Sequence, residues 1–222
     1  MINQNASLIF DLDGTLIDSA KDIQWVANKA LSEIGATPIS YEEAVSFIGE
    51  GAPIFVKKMI VARSIESSKH DFLLEQFLKF YEDAVQFTEP YENVVPVLEI
   101  LNSRHKLGLC TNKPLKPALK ILKHLKLDHF FKCITGGDSS FGRKPDPSPL
   151  LNTSASVGDG LCIYVGDSEV DAETAQRADV PFLLFTDGYR KTPIEEIPHT
   201  YSFSSFSKLP ELVETILENT NR

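Results

Sequence analysis

The chain has 222 residues, 42% of them hydrophobic and 24% charged, the make-up of a soluble globular protein with enough length to bury a substantial core in one large domain or two small ones. Its 22 basic residues stand against 31 acidic ones, a net charge of −9. That balance argues against a broad nucleic-acid or anionic-membrane surface, since both need a basic face, and leaves room for a small anionic ligand held by a few local cations.

The N-terminal MINQNAS has neither the basic region nor the apolar stretch of a signal peptide, and no apolar run approaches the ~20 residues that span a bilayer. A cytoplasmic location is expected. The first apolar run, SLIF (7–10), predicts a buried strand. From Leu16 to about Thr88 no strand is expected. Helical spacing takes over: Ile23, Ala27, Ala30, Leu31 and Ile34 share a face closed by Gly35, and Ser40-x-x-Glu43 matches a capping box. Helical patterns follow over 54–62 and 72–85, where Phe77, Phe80, Tyr81 and Ala84 read as bundle core. Strand-like runs then return as KLGLC (106–110), KCIT (132–135), LCIYV (161–165) and PFLLF (181–185), with helical stretches such as 116–125 and 169–178 between most of them. This alternation predicts an α/β fold with a doubly wound parallel sheet and a small helical domain inserted after its first strand. Cys110, Cys133 and Cys162 each sit in an apolar run without metal-like spacing, and are expected as buried, reduced thiols. No internal repeat or low-complexity segment is evident.

In open parallel sheets ligands bind beyond the carboxyl ends of the strands, so the residues after each run carry the functional reading. Asp11 and Asp13 follow the first run, Thr111 and Asn112 the second, and Asp167 the fourth, with Ser168 next and Asp171 four residues beyond Asp167. Between the third and fourth lies GRKPDP, with Arg143 and Lys144 held extended by Pro145 and Pro147. Singly each signal is weak: a D-x-D pair is usually a solvated loop, and a lone lysine is usually surface. Three strand ends presenting acid, hydroxyl and acid in one crevice are much harder to dismiss. Crowded carboxylates raise one another's pKa unless a cation neutralises them, and hard oxygen ligands with room for water suit Mg²⁺. A hydroxyl, an amide and a lysine opposite such a metal make a cradle for a phosphoryl group. No serine or cysteine is paired with a histidine, which leaves a carboxylate as nucleophile.

DLDGT (11–15), TN (111–112), RKPDP (143–147) and VGDSEVDAETAQRAD (165–179) resemble, in order, the four motifs of the haloacid dehalogenase superfamily of phosphatases. Within it, FIGEGAPIFVKKM (47–59), GGDSSFGRKPDPSPLL (136–151) and VGDSEVDAETAQRADVPFLLFTDGYR (165–190) resemble the phosphoglycolate phosphatase subgroup. The resemblance implies a Rossmann-like core, residues 1–15 and 89–222, with strands in the order 5-4-1-2-3, and a helical cap domain, residues 16–88, closing over the site. It implies a Mg²⁺-dependent phosphomonoester hydrolase that turns 2-phosphoglycolate into glycolate and phosphate through an aspartyl-phosphate. Asp11 would be the nucleophile, and Asp13 the acid for the leaving alcohol and then the base for water. Thr111, Asn112 and Lys144 would bind the phosphoryl group. Asp11, Asp13 (through its carbonyl) and Asp167 would hold the metal, with Asp171 supporting it through water. Gly14 and Gly166 would permit close backbone approach.

In the insert, Gly49-Glu50-Gly51 precedes a helix whose amides could bind an anion, with Lys58 nearby in sequence. Glu50 would repel a substrate carboxylate, and the subgroup often has asparagine there and arginine at 58. The alternative is a plain glycine-rich turn. An acid at Asp13 favours O-phosphate monoesters over halides and phosphonates. Open alternatives are another small phosphate ester, a phosphosugar mutase, or a non-catalytic phospho-acceptor of the receiver type. A receiver needs neither that second acid nor an inserted domain of about 70 residues. The expected assembly is a monomer or homodimer.

Overall fold

A computed structural model describes residues 5–220; the first four residues of the N-terminal segment and the last two of the chain lie outside it. The strands are β1 (Ala6–Phe10), β2 (Ile17–Asp18), β3 (Glu89–Pro90), β4 (Lys106–Cys110), β5 (Phe131–Thr135), β6 (Leu161–Gly166), β7 (Phe182–Phe185) and β8 (Tyr201–Phe203). Six of them form one parallel sheet in the order β5-β4-β1-β6-β7-β8. The five expected strands therefore lie in the expected order, with β1 near the centre. The sixth, β8, was not expected: three residues with Ser202 exposed give almost no pattern, and the strand is anchored by Phe203 packing on Phe185 and Phe206.

All five residues of β1 are buried, because alternate side chains enter different cores. Leu8 and Phe10 join Leu107, Leu109, Ile163 and Val165 under α5 (Val94–Asn102), α6 (Leu115–His124) and α9 (Leu209–Thr220). Ile9 points the other way with Tyr164 and Leu184, under α7 (Ser148–Val157) and α8 (Glu169–Ala178). This two-sided burial explains why the runs lack polar alternation.

Between β2 and β3 the chain forms α1 (Ala20–Ser32), α2 (Tyr41–Phe47), α3 (Ala52–Ala62) and α4 (His70–Tyr81). These helices share their own apolar cluster, which includes Val26, Leu31, Val56, Met59, Leu73 and Phe77. The predicted capping box forms at α2: Glu43 N donates to Ser40 Oγ at 3.2 Å and Ser40 N donates to Glu43 Oε2 at 2.7 Å. Helix α4 stops at Tyr81 rather than continuing to Val85. The following segment turns back instead, held by buried Asp22, which accepts from Gln86 N, Phe87 N and Thr88 Oγ1. Leu16 and Ile17 pack with the sheet core, not with these helices. The outgoing and returning chain pair as β2 and β3, Ile17 opposite Pro90 and Asp18 opposite Glu89. Two short paired crossings thus join the helices to the sheet.

Cys110 is buried as expected, whereas Cys133 and Cys162 are half-buried; Cys133 lies on an edge strand. All three thiols are free. No described helix is long and apolar enough to cross a membrane.

Candidate active site

The carboxyl ends of β1, β4 and β6 meet under the helical excursion, and each contributes the residues that follow it. After β1 the chain turns tightly: Gly14 N donates to Ile17 O and Leu16 N to Leu12 O. Gly14 has φ +89°, and a Cβ there would lie 2.5 Å from Asp167 Oδ2, so glycine is required both by conformation and by space. At Gly166 a Cβ would lie 2.6 Å from the Asp171 side chain.

Asp11 is buried, with Oδ1 2.8 Å from Lys144 Nζ. That oxygen has no well-directed hydrogen bond, so it retains a lone pair for an electrophile or a cation. Burial raises the Asp11 carboxyl to about 7, with Lys144 pulling it down and Asp171 pushing it up. Lys144 itself is fully enclosed. Burial opposes its charge, but Asp11 and Asp171 outweigh that and hold it above the ordinary lysine range. Its ammonium donates to Asp171 Oδ1 at 2.6 Å and Tyr164 Oη at 2.9 Å.

Asp171 is spent on this scaffold. Its Oδ1 also accepts from Tyr164 Oη (2.7 Å), and its Oδ2 accepts from Ser168 Oγ, Ser168 N and Asp167 N (2.6, 3.1 and 3.3 Å). Ser168 and Asp171 form the capping box of α8. Burial works to raise Asp171, and Lys144 more than offsets it, leaving the group below its usual pKa. Asp167 is held by Thr15 Oγ1 at 2.7 Å and Tyr189 N at 2.6 Å. Burial, then Asp171 and Asp11, push its carboxyl well above the ordinary range.

Asp13 lies on the other side of Asp11. Its Oδ1 accepts from Ser19 Oγ at 2.5 Å and from Lys113 Nζ at 3.0 Å. Thr111 Oγ1 accepts from Lys113 N at 3.2 Å. The Asn112 side chain is fully used: its amide donates to Gly49 O (2.9 Å) and Lys144 O (3.0 Å), and its oxygen accepts from Lys144 N (3.0 Å). It therefore has no side-chain donor left for a phosphoryl group. It ties the Lys144 segment and the helical excursion to the end of β4 instead.

Gly49 and Gly51 reach the site, but the contact Gly49 makes is through its carbonyl, and Pro53 in the first turn of α3 supplies no N–H. Glu50 and Lys58 pair with each other at 2.5 Å and stand outside the cavity wall. The repulsion that Glu50 would exert is thereby neutralised locally. The cavity, about 40 Å³, lies between Asp11, Asp13, Thr111 and Lys113 on one side and Ile23, Ile48, Phe55, Phe77 and Tyr81 on the other.

Sequence reasoning missed Lys113, Tyr164 and Tyr189. Lys113 directly follows Thr111-Asn112 at a strand end, and Tyr189 follows β7 in the same way, so the strand-end rule could have found both. Tyr164 is masked by an apolar strand; only its lone hydroxyl within LCIYV signals a buried polar partner.

The donor set fits a divalent cation. Oxygens of Asp11, Asp167 and Asp171 lie within 4.8 Å of one another. Counting Asp13 as well, four carboxylates face two lysines, Lys113 and Lys144, so with all four ionised two negative charges call for a cation, and without one Asp11 and Asp167 are pushed toward the neutral form. Hard carboxylate oxygens suit Mg²⁺.

The family model for haloacid dehalogenase-like hydrolases matches residues 8–185. A protein from Cereibacter sphaeroides named phosphoglycolate phosphatase is 41% identical over 214 residues, spanning 95% of this chain and 98% of the relative. One of the same name from Agrobacterium fabrum is 33% identical over 94% of this chain and 93% of its own length. In three dimensions, the crystal structure of a predicted phosphoglycolate phosphatase from Haemophilus somnus superposes with a TM-score of 0.89 at 27% identity, covering 96% of this chain and all of the other. With its motif residues gathered at three strand ends of the shared fold, the chain belongs to the haloacid dehalogenase-like hydrolases.

Proposed function

We propose that this chain is a Mg²⁺-dependent phosphomonoester hydrolase acting on 2-phosphoglycolate. The observation that carries the reading is the buried Asp11, ion-paired with Lys144 and keeping one oxygen without a directed hydrogen bond, with a second acid two residues on. The name shared by the curated relatives supports the substrate, and the small apolar-walled cavity suits a short leaving group.

Asp11, Asp167 and the Asp13 carbonyl would hold Mg²⁺, which when bound supplies charge neutralisation for a phosphoryl group. Asp171, with its lone pairs already engaged, acts by positioning Lys144. The Asp11 carboxylate attacks phosphorus while the bond to the leaving oxygen breaks, and Asp13 donates a proton to that oxygen. Thr111 and the main-chain N–H of Asn112 steady the phosphoryl oxygens, while Lys144 balances the charge of Asp11 from beneath. Asp13, now ionised, takes a proton from water as the water attacks the phospho-aspartate, releasing phosphate and restoring Asp11. Helices α1–α4, which lie within the insert read over 16–88, act as a lid that excludes bulk water through the wall of Ile48, Phe55 and Phe77.

Phosphate release from phosphoglycolate, hexose phosphates and nucleotides, with Mg²⁺ or EDTA, tests the reading. Phosphoglycolate should lead in kcat/KM by at least about tenfold, with activity lost in EDTA and in Asp11→Asn. A flat profile or a hexose preference overturns the glycolate assignment, and steady turnover by Asp11→Asn overturns the mechanism.

A further inference from the structure

Lys113 is the only cation among the described residues that line the cavity. Neighbouring cations do not line it: Lys58 pairs with Glu50, Arg143 Nε donates to Gly137 O, Lys191 donates to Ile48 O, and Lys144 is held by Asp11 and Asp171 beneath the cavity floor. Lys113 is almost wholly buried, its side chain 3% exposed. Its ammonium donates to Asp13 Oδ1 at 3.0 Å and to Tyr81 Oη at 2.6 Å, and sits 4.1 Å from the centre of the Tyr81 ring. An ammonium has three protons, so one donor remains beyond these two contacts. Phe55, Phe77 and Ile23 line the same cavity, and their low polarity strengthens any charge pair made there.

Given the phosphatase reading, on which this inference rests, we infer that Lys113 recognises a carboxylate on the leaving group and so sets the substrate class. Asp13 serves the ester oxygen, and Lys113 is bonded to Asp13. Glycolate carries its carboxylate one methylene beyond that oxygen, within reach of the same ammonium. The contact to Tyr81, at the end of α4, holds the ammonium from the helical side, so the carboxylate pocket is built jointly by the β4 loop and the helical excursion. The expected cap residues Glu50 and Lys58, occupied with each other, take no part.

The test compares kcat/KM for 2-phosphoglycolate and for the phosphate monoester of ethylene glycol, an analogue with an uncharged hydroxymethyl group in place of the carboxylate. The unmodified enzyme should favour the carboxylate ester, and Lys113→Met should shrink that ratio by about 10- to 100-fold, the range for hydrogen bonds to a charged group. A purely structural role for Lys113, steadying Asp13 or Tyr81, would depress both esters together and leave the ratio intact. That result overturns the inference. So does an unmodified enzyme with equal kcat/KM for the two esters, a comparison that needs no variant and remains decisive if Lys113→Met and Lys113→Gln fold poorly. Both outcomes leave the phosphatase reading standing. Absence of phosphate release from either ester by the unmodified enzyme with Mg²⁺ overturns that reading, and this inference with it.

Discussion

Replacing Asp11 by asparagine should make the metal-free protein more stable even as it removes turnover. The Asp11 carboxyl is raised from 3.8 to about 7, roughly three units, and each unit is worth about 1.4 kcal/mol. Ionising this group in the folded protein therefore costs up to about 4 kcal/mol relative to the unfolded chain. Asparagine avoids the cost. The attraction to Lys144 is already contained in that value, and Lys144 keeps Asp171 and Tyr164 as partners, so a net gain of about 2–4 kcal/mol is expected, or roughly 6–12 °C in Tm for a chain of this size. Because the folded pKa lies above the unfolded one, this contribution to wild-type stability is greatest below about pH 4. It is lost as pH rises through about 7. The advantage of Asp11→Asn should accordingly grow from about pH 5 to about pH 8 in EDTA. Mg²⁺ should then stabilise the wild type by binding only its folded state, and the variant much less. Thermal melts across that pH range, with EDTA or Mg²⁺, measure both effects. A variant that melts below the wild type at about pH 8 in EDTA, or a gap that does not vary with pH, would refute the picture of crowded carboxylates awaiting a cation.

Asp13→Asn keeps the size and main-chain carbonyl of the residue but loses its proton. Its loss in kcat/KM should be far larger for phosphoglycolate, whose alkoxide needs general-acid help worth about 10²–10⁴-fold, than for p-nitrophenyl phosphate, whose leaving group is already a stable anion. Equal losses would assign Asp13 to positioning alone. Away from the chemistry, Asp22→Ala strips three hydrogen bonds from the returning segment 86–88 and should cost about 2–4 kcal/mol in urea unfolding, since the buried Thr88 hydroxyl and two main-chain N–H groups lose a charged acceptor. A change under about 1 kcal/mol would mean that the β3 crossing is held by other contacts.

Local sequence was enough for five of the six strands of the main sheet, because each of those buried runs is continuous where a parallel sheet is covered on both faces. It was enough, too, for Asp11, Asp13 and Asp167, since in this architecture a ligand can only sit past the carboxyl ends of the strands. The capping box at Ser40 was equally local, written in four consecutive residues. Other features depend on side chains that meet only after the chain has closed. The end of α4 at Tyr81 is decided by Asp22, more than sixty residues upstream of the segment it turns. The pairing of Glu50 with Lys58, the use of Asn112 as a tether and the full commitment of Asp171 to Lys144 all follow from who is nearest in space. Lys113 is the sharpest case. In sequence it is one lysine among many, mostly solvated. Only the approach of Tyr81 and the apolar wall of the inserted helices encloses it beside Asp13, because hydrogen bonding and desolvation are properties of the assembled site.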